Sequence, residues 1–323
     1  MKSSLLKFTL MMFLNAVASC CVLAQSSYPL KTIKLVVPFP AGGGTDAVAR
    51  IVTQKMSETF NESIIVENKI GAGGSVATEY VAHAEPDGYT LLFTTSGHAI
   101  QPHLQKLNWD PIKDFTPIST LVKNPLVIAV RPDFKANNIK DLIKMAKDNP
   151  GKFTYGSSGS GSALHMSAEY FKSVAKVDIV HIPYSGNAPM TLALLKGEVD
   201  MVFDSLTGPL PNIHAGKLRA LAVTTLKRSF ALPETPTLDE AGLKGYDFSS
   251  WSGILAPAGT PQDIVQKLNH QMAIALENTS VRERLMSFGY TPMSSSSQEL
   301  QDTIAQDLEK YKRMIKDLNI SAN

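Results

Sequence analysis

The sequence predicts an α/β fold whose largely parallel sheet is built twice along the chain, and three observations predict it. Strand-length apolar runs alternate with segments of helical periodicity from Ile33 to Val223. Glycine-rich stretches fall between strand and helix in both halves, "AGGGT" at 41–45 and "GSSGSGS" at 156–162. Three helical patterns then close the chain with no strand after them, so they must pack on a sheet already made.

The N-terminus is set apart first. Lys2 and Lys7 precede a mostly apolar run from Leu10 to Val22 that ends in small residues, the pattern of an export signal. Val22-Leu23-Ala24 fits cleavage before Gln25, giving a signal peptide over 1–24; Val17-Ala18-Ser19-Cys20 also fits a lipoprotein site that would leave Cys20 as a lipidated first residue. A retained anchor is the weaker reading, because the run is shorter than the ~20 apolar residues of a spanning helix. Cys20 and Cys21 are the only cysteines in the chain, so cleavage after Ala24 leaves none and no disulfide. The net charge of +2 disappears with Lys2 and Lys7, and a neutral chain without a basic run argues against nucleic acid or a membrane surface as partner. The expected product is an exported, periplasmic chain.

Ile33 to Val37 reads as a strand, and Val48, Ile51, Val52 and Met56 continue at helical spacing to Phe60. Ser63 to Glu67 is a second strand, "GAGGSVATEYVAHA" a loop and helix, and Tyr89 to Thr94 a third strand, which completes a βαβαβ unit. Pro102 to Pro117 reads as irregular. Asn124-Pro125 interrupts the extended segment that follows, a position better suited to a connection between two sheets than to a central strand. A second series follows: helix 139–148, strand "FTY", helix 162–173, strand "DIVHIP", helix 188–195, and strands "EVDMVF" and "LRALAV". After a proline- and glycine-rich stretch, residues 247–257 form another extended segment, followed by helices over 261–277, 279–287 and 297–317. Two lobes are the economical arrangement, with segments near 121–130 and 247–257 crossing between them. Lobe 1 takes 25–124 and 254–323, and lobe 2 takes 125–253.

A glycine-rich turn between strand and helix exposes the first N–H groups of the helix, which carry about half a positive charge and favour an anion by roughly 0.3–1 kcal/mol when exposed. Gly42, Gly43 and Gly44 let the backbone approach a guest, and Thr45 or Asp46 is suited to cap the helix. Asp46 would repel an anion at the same end, so it either points away or acts through a water or a ligand donor. In the second loop Ser157, Ser158, Ser160 and Ser162 add hydroxyl donors, and His165 lies one turn into the next helix, placed to meet a ligand or to hold the loop. Asp204 ends a strand, as a cleft residue or as a cap. Two such loops, one per lobe at the carboxyl ends of strands, point to a small carboxylate.

Enzyme signatures fail. Gly161 is followed by Ser162 and not by a P-loop lysine, no G-x-G-x-x-G or G-x-S-x-G spacing is present, and the seven histidines form no metal-protease pattern. No metal, cofactor or catalytic residue is expected.

The segments "YPLKTIKLVVPFPAGGGTDAVAR", "VENKIGAGGSVATEYVA", "PDGYTLLF", "YGSSGSGSALHMSAEYF", "HIPYSGNAPMTLALLKGEVDMVFDS", "GKLRALAVTT", "LPETPTLDEAG" and "WSGILAPAGTP" resemble the Bug family, extracytoplasmic solute receptors associated with tripartite tricarboxylate transporters. The resemblance implies a type II periplasmic binding protein, monomeric, closing two lobes on a carboxylate ligand and passing it to membrane permease subunits. It further implies ligand contacts from Phe39, Gly42, Gly43, Gly44, Thr45, Asp46, Thr95 and Ser96 in one lobe. The other lobe would supply Ser157, Ser158, Gly159, Ser160, Ser162, His165 and Asp204. A sensory binding module needs the same trap; an exported enzyme would need a nucleophile and base that the sequence does not announce. A citrate-like acid, a short dicarboxylate, a nicotinate-like and a terephthalate-like compound all remain open as ligands.

Overall fold

A computed structural model of the chain describes residues 28–320. The signal-peptide cleavage site and the cysteines lie outside the described residues. Among the described residues ten strands and ten α-helices follow in order: β1 (Ile33–Val37), α1 (Gly44–Phe60), β2 (Ile64–Asn68), α2 (Ser75–Ala82), β3 (Thr90–Thr95), α3 (Gly97–Ile100), β4 (Phe115–Val130), α4 (Ile139–Asp148), β5 (Thr154–Ser157), α5 (Ala163–Ala175), β6 (Val180–Pro183), α6 (Asn187–Lys196), β7 (Met201–Ser205), α7 (Leu210–His214), β8 (Arg219–Val223), β9 (Ser249–Pro257), α8 (Gln262–Glu277), α9 (Thr279–Ser287), β10 (Thr291–Pro292) and α10 (Ser297–Asp317). Two short 3-10 turns, Ala72–Gly74 and Gln101–His103, flank α2 and follow α3.

The strands line up as β2-β1-β3-β9-β4-β7-β5-β6, with β8 and β10 also paired to β4. Parallel pairing holds for β1 with β2 and β3, and for β5 with β6 and β7, as βαβ connections require. Every pairing of β4 and β9 is antiparallel, so the sheet is mixed and not largely parallel. The reason is the pair of long strands. β4 begins inside the stretch expected to be irregular, absorbs Pro117 beside a register shift, and pairs β9 as far as Pro125 opposite Ser249. From Leu126 onward it pairs β7 and β8 instead. Pro125, which has no N–H to donate, therefore sits where the strand changes partners, and the ladder loses little there.

Each half has its own apolar cluster. In the first, Val36, Leu92, Trp109, Phe115 and Trp251 pack with Leu300 and Ile304 of α10. In the second, Tyr155, Phe171 and Phe203 are fully buried, among many aliphatic side chains that include Ile128 and Val202. Burying side chains of this size stabilises by roughly 1.5–3 kcal/mol each. Tyr311 and Ile315, two turns further along α10, belong to this second cluster, so the last helix contributes to both. A capping box between Ser296 and Glu299 opens α10.

Candidate functional site

The first glycine loop leaves β1 at Val37 and enters α1 at Gly44. Gly43 is the N-cap residue and no side chain caps the helix, so the expected cap by Thr45 or Asp46 is absent. Asp46 instead turns back on the loop. Its Oδ2 accepts from the Gly42 N–H at 2.9 Å and from Arg50 Nε at 2.8 Å, and its Oδ1 accepts from Asn68 Nδ2 at 2.9 Å. The carboxyl is nearly buried, which alone would raise its pKa, but the hydrogen bonds from Arg50, Gly42 and Asn68 hold it below the ordinary carboxylate range. Asn68 also donates to the Phe39 carbonyl at 2.9 Å. Asp46 is thus the brace of the loop, with its negative charge spent on internal donors. Gly42, Gly43 and the half-buried Gly44 and Thr45 carry the exposed backbone of the helix start.

The second loop is braced without a formal charge. Ser157, fully buried, donates to the Gly159 carbonyl at 3.1 Å and accepts from the Gly159 N–H at 3.2 Å. Its Oγ also lies 2.7 Å from Nε2 of His181. Nδ1 of His165 accepts from the Gly161 N–H at 3.0 Å, which places the imidazole proton on Nε2, 4.0 Å from Glu169. His165 and His181 stack at 4.1 Å, and Tyr155 covers His181 at 4.9 Å. Burial lowers both imidazole pKa values, that of His181 to about 4, so both rings are neutral at pH 7. Of the two roles open to His165, the geometry shows the loop-holding one. Ser162 is the N-cap of α5, its Oγ accepting from the His165 N–H at 3.2 Å. Ser158, Gly159 and Ser160 are half-buried at the turn.

The remaining expected contacts lie at the carboxyl ends of β3 and β7. Thr95 ends β3 and accepts from the Gly97 N–H at 3.2 Å. Ser96 is fully buried and paired with Ser250 at 2.7 Å. Asp204, also fully buried, is the next-to-last residue of β7; it accepts from Asn187, Ser205 and Thr191, the last at 3.1 Å. Burial outweighs these donors and pushes its carboxyl up to about 7.

Sequence reading missed Asn68, His181 and Asn187, whose side chains hold Asp46, Ser157 and Asp204. The first two were accessible in principle, because parallel pairing sets Val37 opposite Asn68 and Tyr155 opposite His181, which puts each beside its loop. Ser157 and His181 have the separation of a nucleophile and a base, yet the serine is wholly buried and its proton points to Gly159. An open depression of about 480 Å³, bordered by Lys147, Glu169, Lys172, Lys176 and Asp178, includes no residue of either loop. Among the described residues no cluster of metal-binding side chains occurs.

Comparison with known proteins bears on the family and the fold. Residues 48–320 match the model of the tripartite tricarboxylate transporter family receptor. The periplasmic binding protein BugD has a similar structure, with 37% identity, a TM-score of 0.83, and coverage of 91% of this chain and 99% of that one. Rpa4515 of R. palustris with adipate aligns at a TM-score of 0.86 and 36% identity, covering 91% and 99%. MatC of Rhodopseudomonas palustris with bound malate aligns at 0.82 and 33%, covering 89% and 100%. The chain therefore belongs to the tripartite tricarboxylate transporter receptor family, the two-lobed Bug-type periplasmic solute-binding proteins, which are receptors and not enzymes.

Proposed function

We propose that this receptor captures a small organic carboxylate between its two glycine loops and delivers the closed complex to membrane permease subunits. The observation that carries the reading is the pairing of loops: each follows a strand of a parallel pair, each leads into a helix N-terminus, and their two strands belong to different halves of the sheet. Residues 125–253 form the second lobe in this reading and the flanking segments the first. The change of β4 partners at Pro125 supports that boundary. Gly43, Gly44 and Thr45 on one side and Ser158, Ser160 and Ser162 on the other present the amides and hydroxyls, while Gly42 and Gly159 shape the turns through N–H groups already given to Asp46 and Ser157. Phe39, Thr95, Ser96, Asp46, Ser157, His165 and Asp204 shape and brace them. Adipate in one relative and malate in another make dicarboxylates the first class to try. Closure follows from the ligand's higher affinity for the closed form.

The test is thermal and chemical denaturation of the purified chain against adipate, malate, citrate, nicotinate and terephthalate. A ligand at a hundredfold excess over its Kd adds ~2.7 kcal/mol to stability. Ser158→Asp places a charge in the second loop and abolishes that gain while the melting of the free protein stays near wild type. A gain that survives this substitution unchanged removes the second loop from the site.

A further inference from the structure

The backbone after β7 is pressed between the two halves at positions where only glycine fits. A Cβ added to Gly44 would lie 2.5 Å from Oη of Tyr290 and 2.9 Å from Oγ1 and Cγ2 of Thr207. One added to Gly289 would lie 2.5 Å from Cβ of Leu206. One added to Gly208 would meet Asp204 Oδ2 at 2.7 Å and Thr191 Oγ1 at 2.8 Å. Gly44 has an ordinary helical backbone, so closeness and not a left-handed conformation is what requires glycine there. Leu206–Gly208 thus fits a seat formed by Gly44, Gly289 and Tyr290, with the buried Asp204 group beneath it.

Hydrogen bonds run along the same line. Thr207 Oγ1 donates to Tyr290 Oη at 3.2 Å and lies 3.0 Å from Ser205 Oγ, which reaches Asp204 Oδ1 at 3.4 Å. Tyr290 is 5% exposed, and burial pushes its pKa up to about 12, so it stays a neutral phenol. None of these contacts requires a ligand, yet they tie the end of β7 to Tyr290, which lies against the start of α1 at Gly44.

We propose that Thr207 and Tyr290 are positioning residues for ligand retention: their hydroxyl pair fastens Leu206–Gly208 onto the Gly44–Gly289 seat and holds the closed arrangement of the two carboxylate loops. Opening must break this contact, so its loss speeds ligand release more than it slows capture. The ligand readout rests on the carboxylate reading above; a ligand-free readout does not.

The experiment uses adipate and malate as probes, with titration calorimetry for affinity and tryptophan fluorescence for release rates. Tyr290→Phe and Thr207→Val each weaken probe binding about three- to tenfold, the worth of one hydrogen bond, chiefly through faster release. The double variant is no weaker than either single one. Thr207→Ser keeps the hydroxyl and restores wild-type retention, which a purely packing role for the threonine would not predict. Without ligand, small-angle scattering gives a larger radius of gyration for Tyr290→Phe than for wild type. Wild-type release by both single variants, additive losses, or an unchanged ligand-free radius overturns the proposal. If neither probe binds the wild-type chain, the dicarboxylate reading fails, and the scattering comparison alone decides for or against the fastening.

Discussion

The two glycine loops present the same kind of backbone but are held in place by different chemistry. The first is braced by a charge: the Asp46 carboxylate gathers Gly42, Arg50 and Asn68, and the helix beyond it has no side-chain cap. The second is braced by two neutral imidazoles and a serine cap, with His165 on Gly161, His181 on Ser157 and Ser162 on the start of α5. A charge-assisted brace is strong but needs its charge consumed locally, or it would oppose an anion at the same helix end. A neutral brace leaves the anion unopposed and depends on its rings staying unprotonated. The difference teaches that bare backbone at a helix start and the device that shapes it are separate features.

The largest effect is expected at the charged brace. Asp46→Ala leaves Gly42, Asn68 and the Arg50 guanidinium without their common acceptor and lowers stability by about 3 kcal/mol, measured by urea unfolding. A loss under about 0.5 kcal/mol would mean that the carboxylate does not brace the loop.

Acid separates the braces next. Burial lowers the pKa of both imidazoles in the folded protein, so as pH falls below 6.5 the unfolded chain binds more protons and their contribution to stability is lost, for His181 over the window from 6.5 down to about 4. Asp46, itself lowered, keeps its contribution through this window and loses it only below the ordinary carboxylate value of 3.8. Asp204, raised to about 7, acts oppositely, since the folded state holds its proton and its contribution fades as pH rises through 7. The wild-type curve mixes these trends, and His181→Gln isolates one of them. The stability advantage of wild type over that variant shrinks by about 1 kcal/mol between pH 7 and about pH 4.5, a figure reduced for the partial exposure of the ring. An advantage that is flat across this range would show that His181 does not titrate with folding.

The smallest pair of changes exchanges the caps. Ser162→Ala removes the cap of α5 and costs about 1 kcal/mol, whereas Gly43→Ser supplies α1 with one and gains a few tenths, roughly the margin of serine over glycine at an N-cap. Differential scanning calorimetry reads both. If the proposed site is right, the added cap also weakens probe binding, because it occupies an N–H offered to the carboxylate. Equal binding by Gly43→Ser and wild type would remove the α1 terminus from the site.

Much of this was legible residue by residue. Helices over 139–148, 279–287 and 297–317 matched their periodicity, and both glycine loops fell between strand and helix as read. The strand content near Pro102 to Pro117 and the antiparallel pairings of β4 and β9 were not legible, because apolar alternation reports which face of a strand is buried and not which neighbour it meets. The brace of the first loop was half visible: Asp46 and Arg50 are one helical turn apart, but Asn68 reaches them from another strand. For the serine-rich loop, composition suggested four ligand donors; the structure turns Ser157 inward and uses Ser162 as a cap.

By itself the sequence determined the alternation of strands and helices, the places where bare backbone precedes a helix, and the family pattern, since all of these are local in the chain. Tertiary structure alone decided that Asp46 faces inward, that His181 stacks on His165, and that Thr207 meets Tyr290 across 83 residues. Those contacts depend on strand register and on the close approach of separate segments, and a burial pattern with a period of 2 or 3.6 residues carries no information about either.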